Sequence, residues 1–186
     1  MTDQMPGQMT DQTAKDRIMG SVEDAEQLDS AAQTLRSVSG RIPEALRRVL
    51  TGEVIGSPLH PALVHLPIGA SVSALLVEVV GGESQTPSTR LLAGLTVASA
   101  IPSALSGLAD YRAAYGAGVR RVGAAHALVA GTGNALAIAT LACSGAKHRF
   151  VPRMLLAGCV GAYLAAGMLG GHLVHDRGQT GPAADD

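Results

Sequence analysis

The chain has no tryptophan and a single phenylalanine in 186 residues, and only 16% of it is charged. A soluble domain carries about a quarter charged residues, so most of this sequence lacks the polar surface that water would require. Basic and acidic residues nearly cancel, 14 against 15, and no basic stripe interleaved with aromatics is present, which removes nucleic acid as an expected partner. There is no Walker loop. The Gly-x-Gly at Gly131 to Gly133 lies inside an apolar run rather than after a strand, and so has no dinucleotide-binding meaning. No apolar core follows Met1, so no signal peptide is expected. The two cysteines, Cys143 and Cys159, fall at different depths of successive apolar runs and read as small apolar residues rather than a disulfide. No Ser-His-Asp or Cys-His nucleophile arrangement can be assembled, and catalysis by the chain itself is not expected.

What the sequence does have is four long apolar runs, from residue 59 to about 80, about 91 to 109, about 122 to 143 and about 154 to 174. Each approaches the roughly 20 residues needed to cross a bilayer, and none shows the polar face of a helix from a soluble protein. Short connectors make successive runs antiparallel neighbours. The expected fold is therefore all-α: an up-down four-helix transmembrane bundle preceded by short amphipathic helices, with the lipid bilayer as its surroundings. A soluble helical core is the alternative, because alanine and glycine dilute the hydrophobicity.

The expected organisation is a disordered tail at 1–20, amphipathic helices at 21–56, the membrane domain at 57–178 and a second tail at 179–186. Val22, Ala25, Leu28, Ala32, Leu35 and Val38 recur at helical spacing, with Ser21 as N-cap. A second helix begins at Pro43 and ends at Gly52. Its apolar face and paired arginines suit a helix lying on a membrane surface, and equally one that docks a soluble partner.

Arg41, Arg47, Arg48, Arg112, Arg120, Arg121 and Arg177 flank one side of the spans, against Arg90, Lys147, Arg149 and Arg153 on the other. The excess places both termini in the cytoplasm, in a multi-pass protein of the inner (plasma) membrane.

An ionisable side chain in hydrocarbon is expensive and marks a functional hypothesis. Odd spans begin, and even spans end, at the same face, so His60, His65, His126, His172 and His175 all fall in one leaflet, with Asp110 at that level. Stripes of small residues that include His65, Gly69 and Ser73, then His126, Ala130, Gly133 and Ala137, then Gly161, Ala165, Met168 and His172, are expected to face the bundle interior. Interior imidazoles are leading ligands for haem iron and transition metals. His60, His65, His126 and His172 are thus the candidate cofactor and metal ligands, with haem b as the cofactor, and Asp110 and His175 as accessory residues.

The stretches Ser57-Pro58-Leu59-His60-Pro61-Ala62-Leu63-Val64-His65-Leu66-Pro67-Ile68-Gly69, Gly107-Leu108-Ala109-Asp110-Tyr111, Arg120-Arg121-Val122-Gly123 leading to His126, Ala162-Tyr163-Leu164 and Gly170-Gly171-His172-Leu173-Val174 resemble the bacterial membrane proteins catalogued as domain of unknown function 2231. The resemblance implies four membrane helices, a redox setting shared with a Rieske-type iron–sulfur partner, and roles for His60, Asp110, His126 and His172. The chain departs from that pattern at Ser57, where members often have histidine, and after Val174, where they have tyrosine and a GVGV-like end. No Rieske-type cysteine and histidine pairs occur, so the iron–sulfur partner is expected as a separate chain.

Three functions follow as expectations. One is an electron-transfer subunit holding b-type haem. The second is a cofactor-free scaffold that docks a partner through residues 23–50. The third is a small transporter or proton pathway using Asp110 and the histidines.

Overall fold

The computed structural model describes residues 6–81, 86–144 and 149–176. No strand occurs among them. The helices are α1 (Pro6–Glu23), α2 (Asp29–Gly40), α3 (Glu44–Thr51), α4 (Leu59–Leu63), α5 (His65–Gly81), α6 (Thr86–Tyr111), α7 (Ala117–Cys143) and α8 (Phe150–Gly171), the last running into a π-helical turn at His172–Asp176.

Four stretches are long and apolar enough to cross a bilayer: Leu59–Gly81, Thr86–Tyr111, Ala117–Cys143 and Phe150–Val174. The chain is an integral membrane protein built as an all-α bundle. The first stretch comprises α4 and α5, broken at Val64. Pro67 accounts for the break, because it has no N–H to offer the carbonyl of Leu63 and its ring crowds that position. Pro102 sits inside α6 without ending it.

The four spans pack in a ring, α5 against α6 and α8, and α7 against α6 and α8. Their inward faces are lined by small residues: Ala70, Ser71 and Ala74 on α5, Ala93, Thr96, Ala100, Ser103 and Ser106 on α6, Gly133 and Ala137 on α7. Small side chains let backbones close up where lipid offers no hydrophobic drive for association. On α6 the hydroxyls of Thr96, Ser99 and Ser103 donate to carbonyls one turn back, so they are satisfied within their own helix. At mid-depth Tyr163 fills the groove left by Gly133, where a Cβ would come within 3.0 Å of its ring, and its hydroxyl bonds to Asn134.

Two of the expected interior stripes face outward. His65, Gly69 and Ser73 are exposed, and α5 buries Pro67, Ala70, Ser71, Ala74 and Glu78 instead. On α8, Gly161, Ala165 and Met168 are exposed while Leu156, Cys159, Tyr163, Ala166 and Leu169 are buried. The α7 stripe does face inward at Gly133 and Ala137. Both cysteines are free.

The N-terminal part also differs from expectation. Residues from Pro6 onward are helical, Ser21 lies within α1 with its hydroxyl donating to the Arg17 carbonyl, and the chain breaks before a separate α2 at Asp29. The next helix is as expected, with Pro43 ahead of Glu44 and Gly52 closing it in the left-handed conformation at φ 83°. Only glycine fits at position 52, because a Cβ there would overlap the carbonyl oxygen of Ser57.

All three N-terminal helices pack on the end of the bundle that holds the histidines, α1 and α2 against α7, α3 against α6. Met19 is buried with Val122 and Leu169. The Tyr111 hydroxyl donates to the Arg120 carbonyl, at 2.9 Å, and reaches that of Ala32. Arg121 grips Asp29 with two hydrogen bonds and donates a third to the Glu23 carbonyl.

Candidate functional site

The histidines divide by position. His60 stands on α4 and His126 on α7, and their rings meet inside the bundle with centres 6.1 Å apart and planes 79° apart. His60 Nδ1 lies 2.9 Å from the carbonyl oxygen of Ser103 on α6, and His126 Nδ1 lies 2.8 Å from that of Ala166 on α8. A carbonyl oxygen only accepts, so each Nδ1 carries the proton. Each neutral ring therefore keeps the lone pair of Nε2 for a ligand.

The two contacts repeat one device. His60 reaches the Ser103 carbonyl and lies against Gly107, four residues further along α6, where a Cβ would come within 2.8 Å of the ring. His126 reaches the Ala166 carbonyl and lies against Gly170, four residues further along α8, where a Cβ would come within 3.3 Å. Thus each odd span sends a histidine to the following even span, at a carbonyl followed one turn later by a glycine. A side chain at Gly107 would force the His60 ring to shift, and one at Gly170 would crowd the His126 ring. Because the first and third spans run in the same direction, the two imidazoles arrive from equivalent positions and meet between the helical hairpins.

His172 is buried but serves elsewhere. Its Nε2 bonds to the Glu23 carboxylate at 2.8 Å, tying the end of α8 to α1. His65 is on the outer face and does not join the pair. Of the four expected ligand histidines, the structure brings together the rings of His60 and His126 and places His65 and His172 apart from them. The side chain of His175, and His148 with it, lies outside the described residues. Asp110 is half-buried three residues beyond Gly107, its carbonyl accepts from the Ala113 N–H, and the Arg47 charge acts on its carboxylate. Among the described residues no group of three or more His, Cys, Asp or Glu side chains could hold a metal ion.

Outside the spans, ion pairs fasten the N-terminal helices. The Arg121 guanidinium, hydrogen-bonded to Asp29, holds that carboxyl below its usual value. Arg47, hydrogen-bonded to Glu44, does the same there, and Glu44 and Glu53 together raise the Arg47 guanidinium in return. Arg112, just past the end of α6, adds a contact to Glu44.

At the opposite end of the bundle lies a group that sequence reasoning left unpaired. Glu78 is 0% exposed and is bound by both the Nε and an Nη of Arg149, itself buried. Thr89 donates to the same carboxylate at 2.9 Å, and Arg149 also donates to the Ser144 carbonyl. Residues from the ends of all four spans therefore meet at one buried ion pair. The depth comparison that groups the histidines pairs Glu78 equally well with Arg149, and is the signal that could have found it.

No family model, curated protein or solved structure matches the chain. The roles of these residues accordingly rest on their geometry.

Proposed function

We propose that this integral membrane protein is an electron-transfer subunit whose His60 and His126 form a two-imidazole site for b-type haem. The observation that carries this reading is the shared anchoring of the two rings, which leaves an Nε2 lone pair on each. The two ring centres stand 6.1 Å apart, and the nitrogen of a neutral imidazole is a leading ligand for haem iron. The donor set fits. Carbonyl bonds at Nδ1 are also what orient metal-bound histidines and raise their basicity.

Bound haem would supply one-electron transfer. The protein's part is to fix both tautomers through Ser103 and Ala166, to keep the rings out of water, and to hold the cation near Asp110 through the Glu44–Arg47–Glu53 ion pairs. The redox partner in this reading is a separate chain of Rieske type, as the resemblance to the membrane family implies, and the excess of arginine at the histidine end supports a cytoplasmic side for that end.

A cofactor-free scaffold is the second reading. It is favoured by one observation, that the same histidine bonds tie helices together: α4 to α6, α7 to α8, and α8 to α1. Absorption spectra of the detergent-purified protein from haem-replete cells separate the two. The haem reading predicts a Soret band that is lost in His60→Ala and His126→Ala and kept in His65→Ala and His172→Ala. A colourless wild-type protein that takes up no added haem contradicts it and leaves the scaffold.

A further inference from the structure

The segment between the N-terminal helices and the first span exposes four large apolar side chains within ten residues: Leu46 at 49%, Val49 at 54%, Val54 at 64% and Ile55 at 67%. Leu46 and Val49 are three apart on α3 and share its outer face. Val54 and Ile55 sit on a short 3-10 turn between Gly52 and Gly56, both left-handed, and the Ser57 N–H returns to the Gly52 carbonyl to close a hook. Arg48 stands beside them, 59% exposed at its side chain.

The depth of this segment is fixed by one hydrogen bond. Ser106 is buried on α6 and its hydroxyl donates to the Leu50 carbonyl, at 2.6 Å. Ser106 lies five residues before the end of α6 at Tyr111, about 7.5 Å along the helix axis at 1.5 Å per residue. The whole of α6 has 26 residues and spans about 39 Å, against a hydrocarbon core of about 30 Å. Centred in the bilayer, α6 carries Ser106 to the edge of the hydrocarbon. The C-terminal end of α3 is therefore beside the bundle at that edge, and does not stand above it in water. Val54 and Ile55 are five and four residues from Leu59, where the first span begins, so the hook is continuous with the lipid-facing belt that includes Leu66.

We infer that α3 and the hook at Glu53–Ile55 are an interfacial anchor. They seat Leu46, Val49, Val54 and Ile55 in the boundary between headgroups and acyl chains, with the Arg48 guanidinium at the phosphate level. The occupant of this face is the bilayer in which the four spans sit, and the balance of apolar side chains and a flanking arginine matches it. The anchor bears on the histidine pair, because it holds α3 against the stretch of α6 that supplies Ser103 and Gly107.

The test places single spin labels on the full chain in phosphatidylcholine–phosphatidylglycerol liposomes, at Val54→Cys and Ile55→Cys, with the unsubstituted chain as labelling blank. Ile101→Cys, on the exposed mid-span face of α6, is the lipid standard, and Ser30→Cys, on exposed α2, is the water standard. Collision with dissolved oxygen and with a water-soluble nickel chelate is read at each site. An oxygen-to-nickel ratio nearer that of position 101 supports the anchor. A ratio nearer that of position 30 overturns it, and leaves the patch to a water-borne protein partner.

Discussion

Arg149 and Glu78 form a two-bond ion pair where the ends of all four spans meet, with the carboxylate wholly removed from solvent. Removing one member of a buried pair strands the other charge, which costs about 3–5 kcal/mol. Glu78→Ala and Arg149→Ala are each expected to lower stability by that amount in detergent unfolding. Replacing both residues together, as Glu78→Leu with Arg149→Met, is expected to recover most of the loss. A double variant as unstable as the sum of the singles would contradict this account of the pair.

Gly107 and Gly170 set how closely the imidazoles approach the backbones of α6 and α8. A Cβ at 107 meets the His60 ring at 2.8 Å, whereas one at 170 meets the His126 ring at 3.3 Å. Gly107→Ala should therefore cost about 1–3 kcal/mol through overpacking, and Gly170→Ala less. Gly94, which has nothing within 4 Å of an added Cβ, provides the comparison. Gly94→Ala is expected to be neutral or to stabilise by up to about 1 kcal/mol through helix propensity. Equal effects of all three substitutions in thermal unfolding would count against a special role for the imidazole contacts.

The Asp29 and Glu44 ion pairs of the N-terminal helices should weaken in acid. The Asp29 and Glu44 carboxyls are held below their usual values by Arg121 and Arg47. A depressed folded value means that the contribution is complete above the unfolded value and is lost as pH falls through the folded one. The usual value for Asp29 is 3.8, so the pairs should hold through mildly acidic solution and release below about pH 4. Mobility of a spin label at Ser30→Cys, followed on titration, checks this. Release between neutrality and about pH 5 would lie outside the range in which these two carboxyls lose their charge.

The backbone plan was legible because it follows from composition: four apolar runs with short links leave few arrangements in a membrane, and Pro43 and Gly52 mark α3 by turn chemistry. The inward face of each span was less so. In a soluble helix the polar side identifies the outside, but α5 and α8 are apolar or small all round. His65, Gly69 and Ser73 therefore looked as fit for the interior as Pro67, Ala70 and Ala74, which are there. His60 and His126 were legible as residues at one depth. Their partners were not, because Ser103 and Ala166 contribute carbonyl oxygens, which every residue has. Residues 6–20 were too polar to suggest a packed helix, and Met19 is the apolar residue that docks the end of that stretch.

The central claim is that His60 and His126 are locked in one tautomer with Nε2 open. Nitrogen NMR of the haem-free protein labelled at histidine, recorded at mildly alkaline pH, reads this directly. Two rings protonated at Nδ1 and bare at Nε2, assigned by their loss in His60→Ala and His126→Ala, are the result the structure predicts. Protonation at Nε2 in either ring, or averaging between tautomers like that of an exposed histidine such as His65, would contradict it.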